Sequence, residues 1–98
     1  MTAHEQLAEY LADLAENHGN MARGIGLYDP IARNLVSRAA SLRYAARMLE
    51  AVNAGDDVLA AACRVMTTPA THCIHCDRAL EAGACPEHPN PRRLDGAA

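Results

Sequence analysis

Of the 49 hydrophobic residues in this 98-residue chain, 21 are alanine, and there is no phenylalanine or tryptophan. That composition limits the fold more than any other feature. A core without large aromatic side chains is thin, and the bulk it has comes from Leu, Ile, Val and Met. Alanine carries the best intrinsic helix propensity and loses no side-chain entropy on ordering, so an Ala- and Leu-rich chain leans towards closely packed helices. A chain this short also gains from a cross-link that supplements a small core.

The helical segments can be read from their boundary signals. Thr2 and Glu5 have capping-box spacing, and Leu7, Tyr10, Leu11, Leu14 and His18 then recur on one face until Gly19, which predicts a first helix over 3–18. Glu5, Glu9, Asp13 and Glu16 fall on the opposite face as a solvated acidic side. Residues 19–28, with Gly19, Gly24 and Gly26, read as a loop. Asp29-Pro30 is a strong start signal, because Asp caps and Pro at the first helical position sacrifices no hydrogen bond. A second helix follows over 30–53, with Ile31, Leu35, Leu42, Ala46 and Leu49 as its buried stripe, and Asn53-Ala54-Gly55 ends it. A third, over 57–66, turns Leu59, Ala62, Cys63 and Met66 inward and stops at Thr67-Thr68-Pro69. The expected fold is mainly α: an antiparallel helical hairpin within a three-helix region over 1–68, then a small metal-stabilised module over 70–89 and a disordered tail over 90–98.

The module is where the chemistry lies. Cys73-Ile74-His75-Cys76 and Cys85-Pro86-Glu87-His88 are two ligand pairs, each with two intervening residues, and eight residues separate them. A pair so spaced can present both side chains to one ion, and two pairs complete the tetrahedron that zinc adopts in closed structural sites. The spacer is long enough for a short hairpin turning near Glu81-Ala82-Gly83. The ligand set predicted is Cys73, Cys76, Cys85 and His88, holding one structural Zn2+. His72 and His75 compete for the fourth position. With Cys63 included there are four cysteines, the number that holds an iron–sulfur cluster, so a redox sensor is the rival reading of the same residues. As a buried residue of the third helix, Cys63 would instead be an ordinary small hydrophobe.

On residues 73–88 alone the sequence resembles small zinc fingers of the zinc-knuckle, zinc-ribbon and treble-clef type, in which a Cys-x2-Cys turn leads into a hairpin. It departs from them in its short spacer and in placing Asp77 where a glycine often follows the second cysteine. The resemblance implies a structural metal and names no biological role.

The net charge of −3 gives no overall drive towards nucleic acid, but the charges are unevenly placed: −4 over 1–22, +3 over 23–52 and −2 over 53–98. Arg33, Arg43 and Arg47, with Tyr44 beside them, form the basic face of the second helix. Such a face can neutralise phosphates and stack on a base, or it can pair with the protein's own acids. Arg38 falls within the apolar stripe and is expected to snorkel or to pair with Asp13 or Asp29. There is no phosphate-binding glycine loop and no deaminase-type ligand order, and four good ligands leave no open metal position, so the expectation is a protein that is not an enzyme. The N-terminus carries no signal-peptide pattern, and paired cysteines used as metal ligands fit a reducing, cytoplasmic setting. A protein partner or a second copy of the chain ranks first among binding partners, and nucleic acid second.

Overall fold

The computed structural model describes residues 1–87. His88 and the tail expected over 90–98 lie outside the described residues. The chain forms α1 (Ala3–Ile25), α2 (Pro30–Asn53) and α3 (Val58–Thr67), followed by a non-helical module. The Thr2 hydroxyl accepts from Glu5 N while the Thr2 N–H donates to the Glu5 carboxylate, so the expected capping box is present. Asp29 caps α2 through Ile31 N at 2.8 Å, with Pro30 in the first turn, and Asp57 caps α3 through Ala60 N at 2.7 Å. The antiparallel pairing of α1 and α2 is closed at its open end by a Thr2 Oγ1 to Asn53 Oδ1 hydrogen bond of 2.9 Å.

The first helix does not stop at residue 18. It runs through Gly19 and Gly24 and ends at Gly26, whose φ of 110° suits glycine alone. The connection to α2 is therefore four residues, 26–29, instead of ten. An interior glycine costs a helix about 1 kcal/mol relative to alanine. At Gly19 that cost has a visible counterpart: the residue is buried, and a Cβ built on it would collide with Asp77 Oδ2 and lie 3.1 Å from Asp77 Cβ.

The buried faces also differ from the expected stripes. On α1 the buried residues are Ala8, Ala15, Gly19 and Ala22, whereas Leu7 and Tyr10 stay 47% and 60% exposed. On α2 they are Ala32, Val36, Ala39, Ala46 and Ala51, with Ile31 exposed and Leu35, Leu42 and Leu49 half-buried. Small side chains let two helix backbones approach closely, so the seam between α1 and α2 is lined by Ala and Gly, and the bulky stripe of each helix is displaced to the side. On α3 the buried residues are Ala61 and Val65; Leu59, Cys63 and Met66 are exposed, contrary to the expected inward set. The largest fully buried side chain of the described residues is Cys76. Among those residues no helix is long and apolar enough to cross a membrane.

Candidate metal centre

The module is built from tight turns. The antiparallel bridge His72–Ala79 closes the Cys73–Cys76 turn, supported by Leu80 N to Thr71 O at 2.9 Å and Cys73 N to Arg78 O at 2.8 Å. A second bridge, Glu81–Ala84, is joined by Ala82 and Gly83 with φ of 52° and 81°. Two successive residues with positive φ make a type I′ turn, which reverses the chain in two residues. The expected turn near Glu81-Ala82-Gly83 is thus present, with isolated bridges in place of extended strands, and it returns Cys85 to the first pair.

Cys73, Cys76 and Cys85 are all buried, and their sulfurs lie within 4.8 Å of one another. The Cys76 and Cys85 sulfurs are 3.7 Å apart, too far for a disulfide, whose S–S bond is about 2.0 Å. Four sulfurs at about 2.3 Å from a tetrahedral ion would sit roughly 3.8 Å apart, so the observed spacing suits a shared metal. The His75 N–H donates to Cys73 Sγ at 3.3 Å. Burial pushes the Cys76 thiol up to about 11, with the neighbouring Cys85 and Cys73 sulfurs adding to the effect against a backbone hydrogen bond from Arg78. At Cys76 a bound cation would have to displace that proton.

Neither His72 nor His75 belongs to this group of ligand atoms. The His72 Nδ1 lies 2.8 Å from Thr71 Oγ1, and burial, with Arg43 and Arg47 nearby, lowers its pKa so that the ring is neutral near pH 7. Cys63 is on the exposed side of α3 and is not part of the group either. The expected fourth ligand, His88, falls just beyond the described residues.

The module is fixed to the hairpin by arginines. Asp77, directly after Cys76, is 3% exposed and adopts φ of 60°, the left-handed conformation that glycine adopts most readily. Arg43 binds its carboxylate through two nitrogens, Nε to Oδ1 at 3.2 Å and Nη2 to Oδ2 at 2.8 Å, and also meets Glu16 at 3.0 Å. Burial works against the Arg43 charge, but the bonds to Asp77 and then Glu16 outweigh it and raise the guanidinium above its ordinary pKa. Arg23 donates to the Cys76 carbonyl at 2.7 Å and Arg47 to Thr71 Oγ1 at 2.6 Å. Leu27, in the α1–α2 connection, packs on both the interhelical core and the cysteine cluster.

The basic face of α2 is accordingly divided. Arg43 and Arg47 are engaged by the module, Glu16 stays exposed while pairing with Arg43, Arg33 is exposed, and Tyr44 is 43% exposed at the edge of the crevice between α2, α3 and the module. Arg38 is exposed and makes no ion pair among the described residues, so the expected pairing with Asp13 or Asp29 does not form within one chain. Sequence reasoning missed Gly19, Arg23 and Asp77 as the docking residues. The out-of-place aspartate after Cys76 was the one available signal.

The chain matches no protein-family model, no curated protein and no solved structure.

Proposed function

We infer that this chain is a small, non-enzymatic zinc-binding protein in which the metal locks a C-terminal module onto a helical hairpin, and that the hairpin acts through protein–protein contact. The observation that carries the metal reading is the convergence of three buried cysteine sulfurs within 4.8 Å, one of them the largest fully buried side chain among the described residues. Soft thiolate donors in a tetrahedral arrangement suit zinc, and His88 would complete the set at the same two-residue spacing as the first pair. The position of Cys63 outside the group supports zinc over a four-cysteine iron–sulfur cluster. The engagement of Arg43 and Arg47 inside the molecule likewise supports protein contact over a nucleic-acid face.

Elemental analysis of protein purified anaerobically without added metal tests the reading. One zinc per chain, with chelation unfolding the module while leaving most of the helical circular dichroism, is the expected result. Iron with visible absorption, or no metal with unchanged folding, would reject it.

A further inference from the structure

The crevice where α2, α3 and the module meet is a cavity of about 180 Å³. Its apolar wall is drawn from all three: Ala40 of α2, Val65 and Met66 of α3, and Ala70 and Ile74 of the module. Met66 and Ile74 are 76% and 75% exposed, so bulky apolar side chains border a space that no described residue fills. Small-molecule pockets measure roughly 300–1,000 Å³, and this smaller space takes one side chain of leucine size. The charged side chains Arg43, Asp77 and Arg47 line the same crevice. Arg43 and Asp77 close on each other, and Arg43 also holds Glu16. Arg47 is half-buried and its Nη2 reaches the neutral Thr71 hydroxyl at 2.6 Å, but it has no ion pair among the described residues. The charge that the crevice leaves uncompensated is therefore one guanidinium on its own lining, with donors to spare for an anion.

We propose that this crevice receives a peptide segment of a protein partner, in which one leucine-sized apolar side chain fills the cavity and a neighbouring carboxylate pairs with Arg47. An apolar anchor in a small pocket beside arginine and tyrosine is the arrangement in which a few residues carry most of the affinity, and Tyr44 lines the crevice next to Arg47. One uncompensated arginine matches one carboxylate, whereas a phosphate backbone is held by a row of cations, and Arg43 is already paired. The chain's own Leu94-Asp95 has the same chemistry, but Arg92 and Arg93 directly before it would bring like charge to Arg47. Because one wall of the crevice is the module, the site exists only while the module is docked. The proposal rests on the protein-contact reading and names the chemistry of the partner.

The test is a nitrogen–proton correlation NMR titration of the full zinc-loaded chain with acetylated, amidated peptides: GSGLDGSG, its amide counterpart GSGLNGSG, and GSGGDGSG, which lacks the leucine. GSGLDGSG should shift the amides of Tyr44, Arg47, Met66, Thr71 and Ile74 with a Kd of about 1 mM, and each of the other two should bind about tenfold more weakly. Arg47→Gln should weaken GSGLDGSG about tenfold and leave GSGLNGSG unchanged, a difference that mere loosening of the module would not produce. Ala40→Leu, at an exposed position of α2, should fill the crevice and weaken GSGLDGSG at least about tenfold, which keeps the proposal testable if Arg47→Gln disturbs the module. Leu94→Gly should leave all three affinities unchanged; tighter binding would make the chain's own tail the occupant and overturn the proposal. Absence of shifts at the crevice, or affinities indifferent to the Asp-to-Asn exchange, would also overturn it and leave protein contact elsewhere on the hairpin standing. An oligothymidylate that moves the Tyr44 and Arg47 amides when no peptide does would overturn both the proposal and the protein-contact reading.

Discussion

Replacing Gly19 by alanine sets two well-defined effects against each other. In an isolated helix the change is favourable by about 1 kcal/mol, because alanine stiffens the unfolded chain and promotes helix. In the docked molecule the new methyl would collide with Asp77 Oδ2 and lie 3.1 Å from its Cβ, and that carboxylate cannot retreat without loosening its bonds to Arg43 at 2.8 and 3.2 Å. Overpacking of this kind costs typically about 1–3 kcal/mol, and loss of the buried pair about 3–5 kcal/mol. The net expectation for zinc-loaded protein is a destabilisation of about 1–3 kcal/mol, or roughly 4–20 °C in Tm at this chain length. Gly24→Ala is the internal control: it lies in the same helix with nothing within 4 Å of the added Cβ, so it should stabilise by about 0.5–1 kcal/mol. Thermal and urea unfolding followed by circular dichroism at one fixed protein concentration measures both. With the metal chelated and the module unfolded, the clash disappears and Gly19→Ala should become stabilising as well. If it stabilises the zinc-loaded protein as Gly24→Ala does, the module does not dock on α1 and the account of this helix is wrong.

Three further outcomes follow from the same contacts. Arg43→Met strands the 3%-exposed Asp77 carboxylate without its partner and should cost about 3–5 kcal/mol in urea unfolding; Asp77→Asn in the same chain should recover a large part of that loss. Cys76→Ser should abolish stoichiometric zinc binding in a chromophoric-chelator competition, whereas Cys63→Ser, at an exposed position outside the cluster, should leave it unchanged. Because Cys76 keeps its proton up to about pH 11 in the metal-free protein, zinc must displace that proton throughout the neutral range. Apparent zinc affinity should therefore rise with pH by about tenfold per unit for this thiol alone, and calorimetry in buffers of different ionisation enthalpy should show proton release; a pH-independent affinity between 6 and 8 would contradict the assignment.

The sequence made some of this architecture legible through signals that act locally. Thr2 with Glu5, Asp29 with Pro30, and Asp57 each satisfy the first turn of their own helix, and no distant contact is needed to recognise them. The Ala82-Gly83 turn and the meeting of Cys73, Cys76 and Cys85 follow from short-range spacing in the same way. The faces of the helices were misjudged because a helical wheel ranks side chains by apolar bulk. Here the intimate contact is made by the residues with least to bury, so Ala8, Ala15 and Gly19 are enclosed while Leu7, Tyr10 and Ile31 remain outside. Gly19 reads locally as a helix terminator. Its actual reason lies 58 positions away at Asp77, and no periodicity within α1 could express it. Arg43 and Arg47 present the same difficulty: a basic helix face looks alike whether its partner is a phosphate or a turn of its own chain.

The left-handed backbone at Asp77 has a bearing on how such a sequence can drift. Glycine at 77 would relax the turn but delete the carboxylate that Arg43 grips and that Gly19 makes room for. Positions 19, 43 and 77 are therefore coupled as a set of three. Among relatives of this chain, one with glycine at 77 is released from the need for arginine at 43 and for glycine at 19, and one that keeps the aspartate must keep all three. That pattern of joint change, read from sequences alone, would trace which relatives still hold their metal module against the hairpin and which have let it go.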